Sequence, residues 1–218
     1  MRRLLLAVLA ALVVVAPAAA LTKAGHDPQK RLNARDQAKA RSLLLRQADL
    51  GSGWTSTAAP ATRGGNLSCA GFDPDLSDLV ETGDAQSRVF AHGIGTTVFS
   101  TATVYADART AEASWQRVIR PALVRCLSTL LEGSSPGGVE IKTLSSGRLA
   151  FAHVAPRSAA FRIAVEVKAF GVATRIYVDL FALGSGRLES GVFLVSIRQP
   201  LTPSFERRLA RSLAHRLV

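Results

Sequence analysis

From Asp107 to Gly133 the chain reads DARTAEASWQRVIRPALVRCLSTLLEG, the most strongly patterned stretch of the sequence. Apolar side chains recur there every third or fourth residue, which predicts a helix that buries one stripe against the rest of the fold. Asp107 suits an N-cap and Gly133 suits a C-terminal stop, while Pro121 predicts a kink near residues 117–120. The predicted stripe consists of Trp115, Val118, Ile119, Ala122, Leu123, Cys126, Leu127, Leu130 and Leu131.

Segments rich in Val, Phe and Thr surround this helix and predict an antiparallel sheet. The predicted strands lie at 87–92, 95–105, 139–144, 149–154, 160–170, 174–183 and 188–198. Further helices are predicted at 34–50, capped by Asn33, and from Pro203 onward, capped by Thr202. We therefore predict an α+β fold in which a sheet of about 5–7 strands packs against the central helix and against N- and C-terminal helices.

The amino terminus has the parts of a secretory signal peptide. Two arginines precede an apolar run from Leu4 to Ala16, and small residues follow up to Ala20. The run is shorter than the roughly 20 apolar residues of a membrane span, so a membrane anchor is the weaker alternative. We expect a signal peptide at 1–20, a flexible lead-in at 21–33 and one α+β domain at 34–218. The mature protein is then expected outside the cytoplasm, secreted and soluble.

The two cysteines, Cys69 and Cys126, most simply form one disulfide in an exported chain. The bridge would tie the loop after Trp54 to the buried stripe of the central helix. A redox-active thiol would instead need a Cys-x-x-Cys pair or an exposed basic setting, and Cys126 lies on an apolar stripe. We therefore interpret both cysteines as structural.

The formal net charge of +11 would draw an exported protein to anionic phospholipid headgroups or wall polymers. Nucleic acid is excluded as a partner, because the basic residues are not interleaved with aromatic ones and the predicted location is wrong. The last helix places Phe205, Leu209 and Leu213 on one stripe and arginines on its other sides. Such a helix either lies on an anionic membrane or packs on its own sheet, and both alternatives stay open.

One face of the predicted sheet carries the candidate site. If Gly171 and Val172 form a two-residue turn, the flanking strands pair with only apolar residues on one face. The predicted pairs are Val167–Ile176, Val165–Val178, Ile163–Leu180 and Phe161–Ala182, and Lys168 would then lie opposite Arg175 on the other face. The opposite face is charged, and it is either a solvent-facing surface with weak ion pairs or the wall of a shallow ligand cleft. The candidate ligand-binding residues there are Arg162, Glu166, Arg175, Tyr177 and Asp179.

No motif identifies a catalytic centre. The sequence GSSPG at 133–137 has the Gly-x-Ser-x-Gly spacing of hydrolases, but it follows a helix and precedes a strand, the reverse of a nucleophile elbow. The four histidines lack the spacing of a metal site, and the acidic residues at 73–84 match a calcium loop poorly. We therefore predict no catalytic residue, no metal and no cofactor, with a triad assembled from distant residues as the alternative.

Three features resemble exported actinobacterial proteins of the PknH-like extracellular domain and LpqN type. They are the motif Asp49-Leu50-Gly51 with Gly53-Trp54, Cys69, and the helix from Trp115 to Cys126. The resemblance covers residues 48–218 and implies a PsbP-like sandwich with a cleft for an unidentified envelope ligand. The chain departs from the kinase sensor domains by having one disulfide instead of two and by lacking a lipobox and a kinase domain.

The sequence thus leads us to expect an exported, non-catalytic ligand-binding or sensor-like module of the cell envelope. Its expected ligand is an unknown small molecule, lipid or glycan. Two alternatives remain: a protein that docks on a membrane or envelope partner through the basic last helix, and a hydrolase with an unrecognised triad.

Overall fold

In the part of the chain that the structure describes, nine strands form one sheet at the centre of the fold. The structure is a computed structural model that describes residues 26–60, 67–135 and 137–218, so the predicted signal peptide (1–20) and the start of the predicted lead-in (21–25) lie outside the described residues. The strands are β1 (Gln29–Lys30), β2 (Trp54–Thr57), β3 (Val80–Gln86), β4 (Val89–His92), β5 (Thr96–Tyr105), β6 (Val139–Arg148), β7 (Arg157–Ala169), β8 (Val172–Ser185) and β9 (Leu188–Ile197). The helices are α1 (Ala34–Ser42), α2 (Gln47–Leu50), α3 (Ala108–Val118), α4 (Pro121–Gly133) and α5 (Pro203–Ala214). The fold is α+β, as predicted, with more strands than the sequence pattern indicates.

The strands follow the order β1-β3-β5-β9-β8-β7-β6, with β4 also paired to β5 and β2 paired to β4. Among the described strands every pair is antiparallel except β1 with β3, where Gln29 lies beside Val80. Part of the segment predicted as a lead-in is therefore an edge strand of the sheet.

Helices cover both faces of the sheet, so its central strands are buried on two sides. On one face, α3 and α4 pack over Phe161, Ile163 and Val165 of β7. On the other face, α1 and α5 pack over Phe181 and Leu194. Because successive side chains of a strand point to opposite faces, alternate residues of β7, β8 and β9 serve two separate cores.

The stretch at 107–133 forms two helices instead of one kinked helix. Asp107 caps α3 by accepting a hydrogen bond of 2.7 Å from the backbone N–H of Thr110. The break falls at Ile119 and Arg120, and Pro121 then occupies the first turn of α4, where no helical hydrogen bond needs its missing N–H. Every residue of the predicted apolar stripe is buried or half-buried.

Cys69 and Cys126 form the predicted disulfide, with their Cα atoms 5.7 Å apart. Cys126 lies on the buried face of α4. Phe72, which follows Cys69 in the chain, is fully buried in the same core. Cys69 and Phe72 also exchange two backbone hydrogen bonds of 2.9 Å. The disulfide and this buried ring attach the irregular segment before β3 to α4.

The turn between β7 and β8 lies one residue earlier than predicted. Phe170 and Gly171 form it, and Ala169 pairs with Val172. The predicted pairs Val167–Ile176, Val165–Val178, Ile163–Leu180 and Phe161–Ala182 are wrong, because each residue of β7 pairs two positions earlier along β8. A shift of two residues leaves every side chain on its predicted face, so the apolar face survives.

Electrostatics distinguishes the observed register from the predicted one. In the structure Glu166 lies opposite Arg175, and Arg162 lies opposite Asp179. The predicted register would have placed Lys168 against Arg175, and like charges directly opposed in a ladder are destabilising. Both registers keep the core, but only the observed one pairs the charges.

Two other predicted elements are wrong in detail. The predicted helix at 34–50 is α1 and α2, separated by the buried turn Leu43–Leu45 that inserts into the core. The predicted strand at 149–154 is irregular, and its Phe151 stacks on Phe181 with ring centroids 4.8 Å apart. This apolar segment covers the sheet instead of extending it.

Strands β2 and β3 are absent from the predicted strands, and β3 takes up the end of the acidic segment at 73–84. The sequence of β3, VETGDAQ, is poor in β-branched and aromatic residues, so its pattern does not indicate a strand. Gly83 lets α1 approach closely, because a Cβ atom there would lie 2.3 Å from the backbone oxygen of Asp36. The packing of α1 thus defines β3.

Removing the disulfide should destabilise the protein substantially. The bridge closes a loop with a sequence separation of 57 residues, and the chain-entropy model assigns about 4 kcal/mol to a loop of that size. We expect the C69A/C126A variant to lose about that much free energy of unfolding in urea titrations. Reductant should lower the midpoint of the wild type and leave that of the variant unchanged; equal stability of the two proteins would contradict the structural role.

Candidate functional site

Arg162 and Asp179, two residues of the predicted cleft wall, belong to a buried ion cluster. The Arg162 guanidinium donates from Nε and Nη2 to the Asp179 carboxylate at 2.6 and 2.8 Å. Nη2 also donates to Glu206 of α5 at 2.8 Å. Asp179 is 1% exposed. Burial of Glu206, together with the negative charge of Asp179, raises the pKa of Glu206 to about 7. The cluster joins the sheet to the first turns of α5.

The other three residues of the predicted wall lie on the same sheet face. Tyr177 is half-buried, with its ring 5.9 Å from the Arg162 guanidinium carbon. Glu166 and Arg175 lie opposite each other further along the ladder, and Arg175 is exposed. The structure therefore brings all five residues to one face and uses Arg162 and Asp179 internally. Their ligand-binding role stays a prediction.

The apolar stripe of the last helix is covered. Leu209 and Leu213 are fully buried against the sheet, and the Phe205 ring stacks on Trp54 with centroids 5.7 Å apart. Asp49 holds the other end of α5, because its carboxylate accepts hydrogen bonds from Ser212 Oγ at 2.7 Å and from Arg216. The exposed face of α5 is basic and carries Arg207, Arg208 and Arg211.

A second buried polar cluster lies beneath α3. The Tyr105 hydroxyl is 2.7 Å from Ser114 Oγ and donates to Glu189 Oε2 at 3.2 Å. Burial raises the pKa of Glu189 to about 7 and also that of Glu81, the ladder neighbour of Tyr105, to about 7. Tyr105 and Ser114 are almost completely buried. The Tyr105 hydroxyl thus links Ser114 of α3 to Glu189 of β9 inside the fold.

Acidic and histidine residues form no metal centre in the described part of the chain. Asp78, from the acidic segment at 73–84, is bound by the Arg117 guanidinium. His92 lies against Trp54, with ring centroids 5.2 Å apart. Within residues 26–60, 67–135 and 137–218, neither His92 nor His153 has a serine or cysteine hydrogen-bond partner that would support the hydrolase alternative.

A groove of about 550 Å³ lies at the margin of the sheet, between the α1–α2 turn and strands β3 and β4. Its floor is apolar and includes Leu44 and Phe90, both of which belong to the core. Its rim carries three arginines, Arg41, Arg46 and Arg88. We call this feature the arginine groove.

Two of the three rim arginines are held in place by hydrogen bonds within the protein. Arg88 donates from Nε to Ser56 Oγ at 2.9 Å and from Nη2 to the Ser56 carbonyl at 3.2 Å. Arg46 donates to the Ser42 carbonyl at 3.2 Å. Arg41 is exposed, and its guanidinium has no hydrogen-bond or ion-pair partner among the residues that the structure describes.

Charge in the arginine groove is predominantly positive. The acidic residue of its lining, Asp84, is bound by Lys30 at 2.7 Å. The sequence pattern does not indicate the groove, because it predicts a helix that continues to Leu50. Such a helix would place Arg41 and Arg46 on one solvated surface. The signal that marks the turn is the run of three leucines at 43–45 between these arginines, which exceeds one helical stripe.

No family model matches the chain, and no curated protein matches its sequence. Among the described residues, no helix is both long enough and apolar enough to cross a bilayer.

Replacing Arg162 should destabilise the fold, because the Asp179 and Glu206 carboxyls would stay buried without a cation. We expect Arg162→Met to lose about 3 kcal/mol of unfolding free energy in urea titrations. The control is Arg175→Met on the same sheet face, where an exposed arginine should change stability by less than about 0.5 kcal/mol. Equal losses of unfolding free energy in Arg162→Met and Arg175→Met would contradict a stabilising role for the ion cluster.

Stability should fall between about pH 5 and about pH 8. Burial raises the pKa of Glu189 in the folded state to about 7, so the folded protein binds a proton that the unfolded chain has released. The stabilisation is complete below the pKa that Glu189 has in the unfolded chain. It is lost as the pH rises through the pKa of Glu189 in the folded protein. In Glu189→Gln this loss should shrink by about 2 kcal/mol, measured by urea unfolding at both pH values. The exposed Glu140→Gln is the control and should retain the wild-type slope.

Proposed function

We propose that the protein is an exported, non-catalytic binding module of the cell envelope, and that its ligand is a small amphiphile with an anionic head and an apolar tail. The observation that carries the proposal is the arginine groove, where cationic side chains stand above an apolar floor. The groove has the volume of small-molecule sites, which span about 300–1,000 Å³.

The chemistry of the groove favours an oxyanion over a neutral sugar. Arg88 and Arg46 are fixed by hydrogen bonds to Ser56 and Ser42, and each keeps further N–H groups to donate. Arg41 has its whole guanidinium available at the rim. Guanidinium groups bind phosphate and carboxylate oxygens through paired, charge-assisted hydrogen bonds. The apolar floor at Leu44 and Phe90 suits an acyl chain.

Export is supported by the amino-terminal pattern and by the disulfide, since such bridges persist in oxidising compartments. Among the described residues no serine or cysteine is hydrogen-bonded to His92 or His153, which favours a binding function over hydrolysis. The resemblance to PknH-like extracellular domains implies the same class of protein, a sensor-like module for an envelope ligand.

A second candidate function is docking on an anionic membrane or wall polymer through α5. The exposed Arg207, Arg208 and Arg211 favour it. Because Leu209 and Leu213 are buried in the core, α5 can offer only electrostatic attraction and no apolar face. We therefore place this function second.

The ligand proposal is tested with dodecyl phosphate below its critical micelle concentration, titrated by calorimetry into the wild type and into R41Q/R88Q. Removing two cationic donors should raise the dissociation constant by about tenfold or more. Native mass spectrometry of protein purified from its own host should reveal a bound anionic amphiphile.

Two controls make this experiment specific. R109Q removes an equally exposed arginine from the start of α3 and should bind dodecyl phosphate as the wild type does. Dodecyl maltoside has the same tail with a neutral head and should bind more weakly to the wild type. Wild-type affinity in R41Q/R88Q, or equal affinity for the two detergents, would overturn the proposal.

A further inference from the structure

The β7–β8 hairpin extends beyond the end of its neighbour β9. Strand β9 ends at Ile197, which pairs with Ile176, whereas β7 and β8 continue to the pair Ala169–Val172. Four residues of β8, from Val172 to Arg175, lie past the last β8–β9 pair, although the Arg175 carbonyl still accepts a hydrogen bond from the Arg198 N–H. At about 3.3 Å per residue, β8 extends about 10 Å beyond Arg175, while on its other side β6 runs beside β7 as far as the pair Val139–Ala169.

Phe170 stands at the tip of this projection in an unfavourable backbone conformation. Its φ is 51°, and that of Gly171 is 77°, the pattern of a turn that prefers Asn-Gly. A bulky side chain in the left-handed region is costly, and backbone strain of this kind persists at functional sites. Phe170 is also 74% exposed, so its ring gains little from burial within the protein.

Other exposed apolar residues lie at the same end of the sheet. Ile94, at the tip of the β4–β5 turn, is 79% exposed, and Val172 is exposed beside Phe170. The pairing Thr96–Ser196–Tyr177 shows that the β4–β5 and β7–β8 turns point in the same direction. We call Ile94, Phe170 and Val172 the apolar tips.

Cations surround the apolar tips. The exposed basic residues of this end are Lys142, Lys168, Arg175 and Arg198. In the ladder Glu140 lies opposite Lys168. Glu166 lies between Lys142 of β6 and Arg175 of β8, so the cations outnumber the acids. The first turns of α5, which start at this end after β9, add Arg207 and Arg208. Anionic lipid headgroups complement this charge.

We infer that the apolar tips insert into the surface of an anionic phospholipid bilayer, with the surrounding cations bound to the headgroups. The shape of this end favours a bilayer over a protein partner. Single apolar side chains on separate projecting turns match an interface into which each can insert alone. A stable protein interface needs a contiguous surface of about 800 Å² per partner. This inference is independent of the arginine groove, which lies at the β3–β4 margin.

The test is co-sedimentation of the purified protein with phosphatidylglycerol vesicles, using phosphatidylcholine vesicles for comparison. The wild type should partition onto phosphatidylglycerol and bind phosphatidylcholine at least about tenfold less, because each cation near a charged surface contributes about 1 kcal/mol. Phe170→Asn should weaken binding to phosphatidylglycerol by about tenfold or more, since it removes one inserted aromatic side chain.

The same substitution should raise the melting temperature, because Asn accepts the left-handed conformation that Phe170 adopts. Weaker binding by a more stable protein separates loss of contact from loss of folding. Ile94→Asn should also weaken vesicle binding, whereas R109Q, which removes an exposed arginine at the start of α3, should bind vesicles as the wild type does. Conversely, Phe170→Asn should bind dodecyl phosphate normally, so failure of this inference and failure of the groove proposal are distinguishable.

Three results would overturn the inference. The first is equal vesicle binding by Phe170→Asn and the wild type. The second is equal partitioning of the wild type onto the two lipids. The third is failure of the wild type to sediment with either vesicle, which would favour a protein as the partner of the apolar tips.

Discussion

The pairing of β7 with β8 decides what lies on each side of the sheet. It places Phe161 and Ile163 under the disulfide-bonded helix α4, and it places Arg162 and Asp179 under α5. A slip of one residue would exchange these two sets and bury charge in both cores. A slip of two residues would keep the faces and oppose like charges. The helix layers, the ion cluster and the projecting turn all require this one alignment.

Burial on both faces moves the surfaces that can bind other molecules to the margins of the sheet. The five residues predicted as a cleft wall lie partly under α5, and the charged pair at their centre is satisfied internally. The accessible features lie elsewhere: a groove where α1 turns into α2, and two turns at one end of the strands. In this fold helices enclose the middle of the sheet, and its accessible grooves and turns lie at the periphery.

Local patterns predicted the parts of the structure that local interactions determine. The periodicity of residues 107–133, the caps at Asn33, Asp107 and Thr202, and the disulfide are confirmed, because each depends on neighbouring residues or on one pair. Strand β3 could not be predicted, because its polar sequence becomes a strand only when α1 packs on Gly83. The β7–β8 register was wrong by two residues because the turn was assigned to Gly171 and Val172 instead of Phe170 and Gly171. The arginine groove could not be predicted either, because Arg41 and Arg88 come together only through the fold.

Strand β6 forms an outer boundary of the sheet, and its sequence resists the addition of another chain. Its pairing with β7 is interrupted between Thr143 and Ser145, and polar residues with Gly147 occupy its second half. A flat apolar strand in this place would template intermolecular pairing of the kind that leads to amyloid, whereas irregularity and charge discourage it. An irregular border of this kind protects folded copies of the chain from joining edge to edge when they are crowded together.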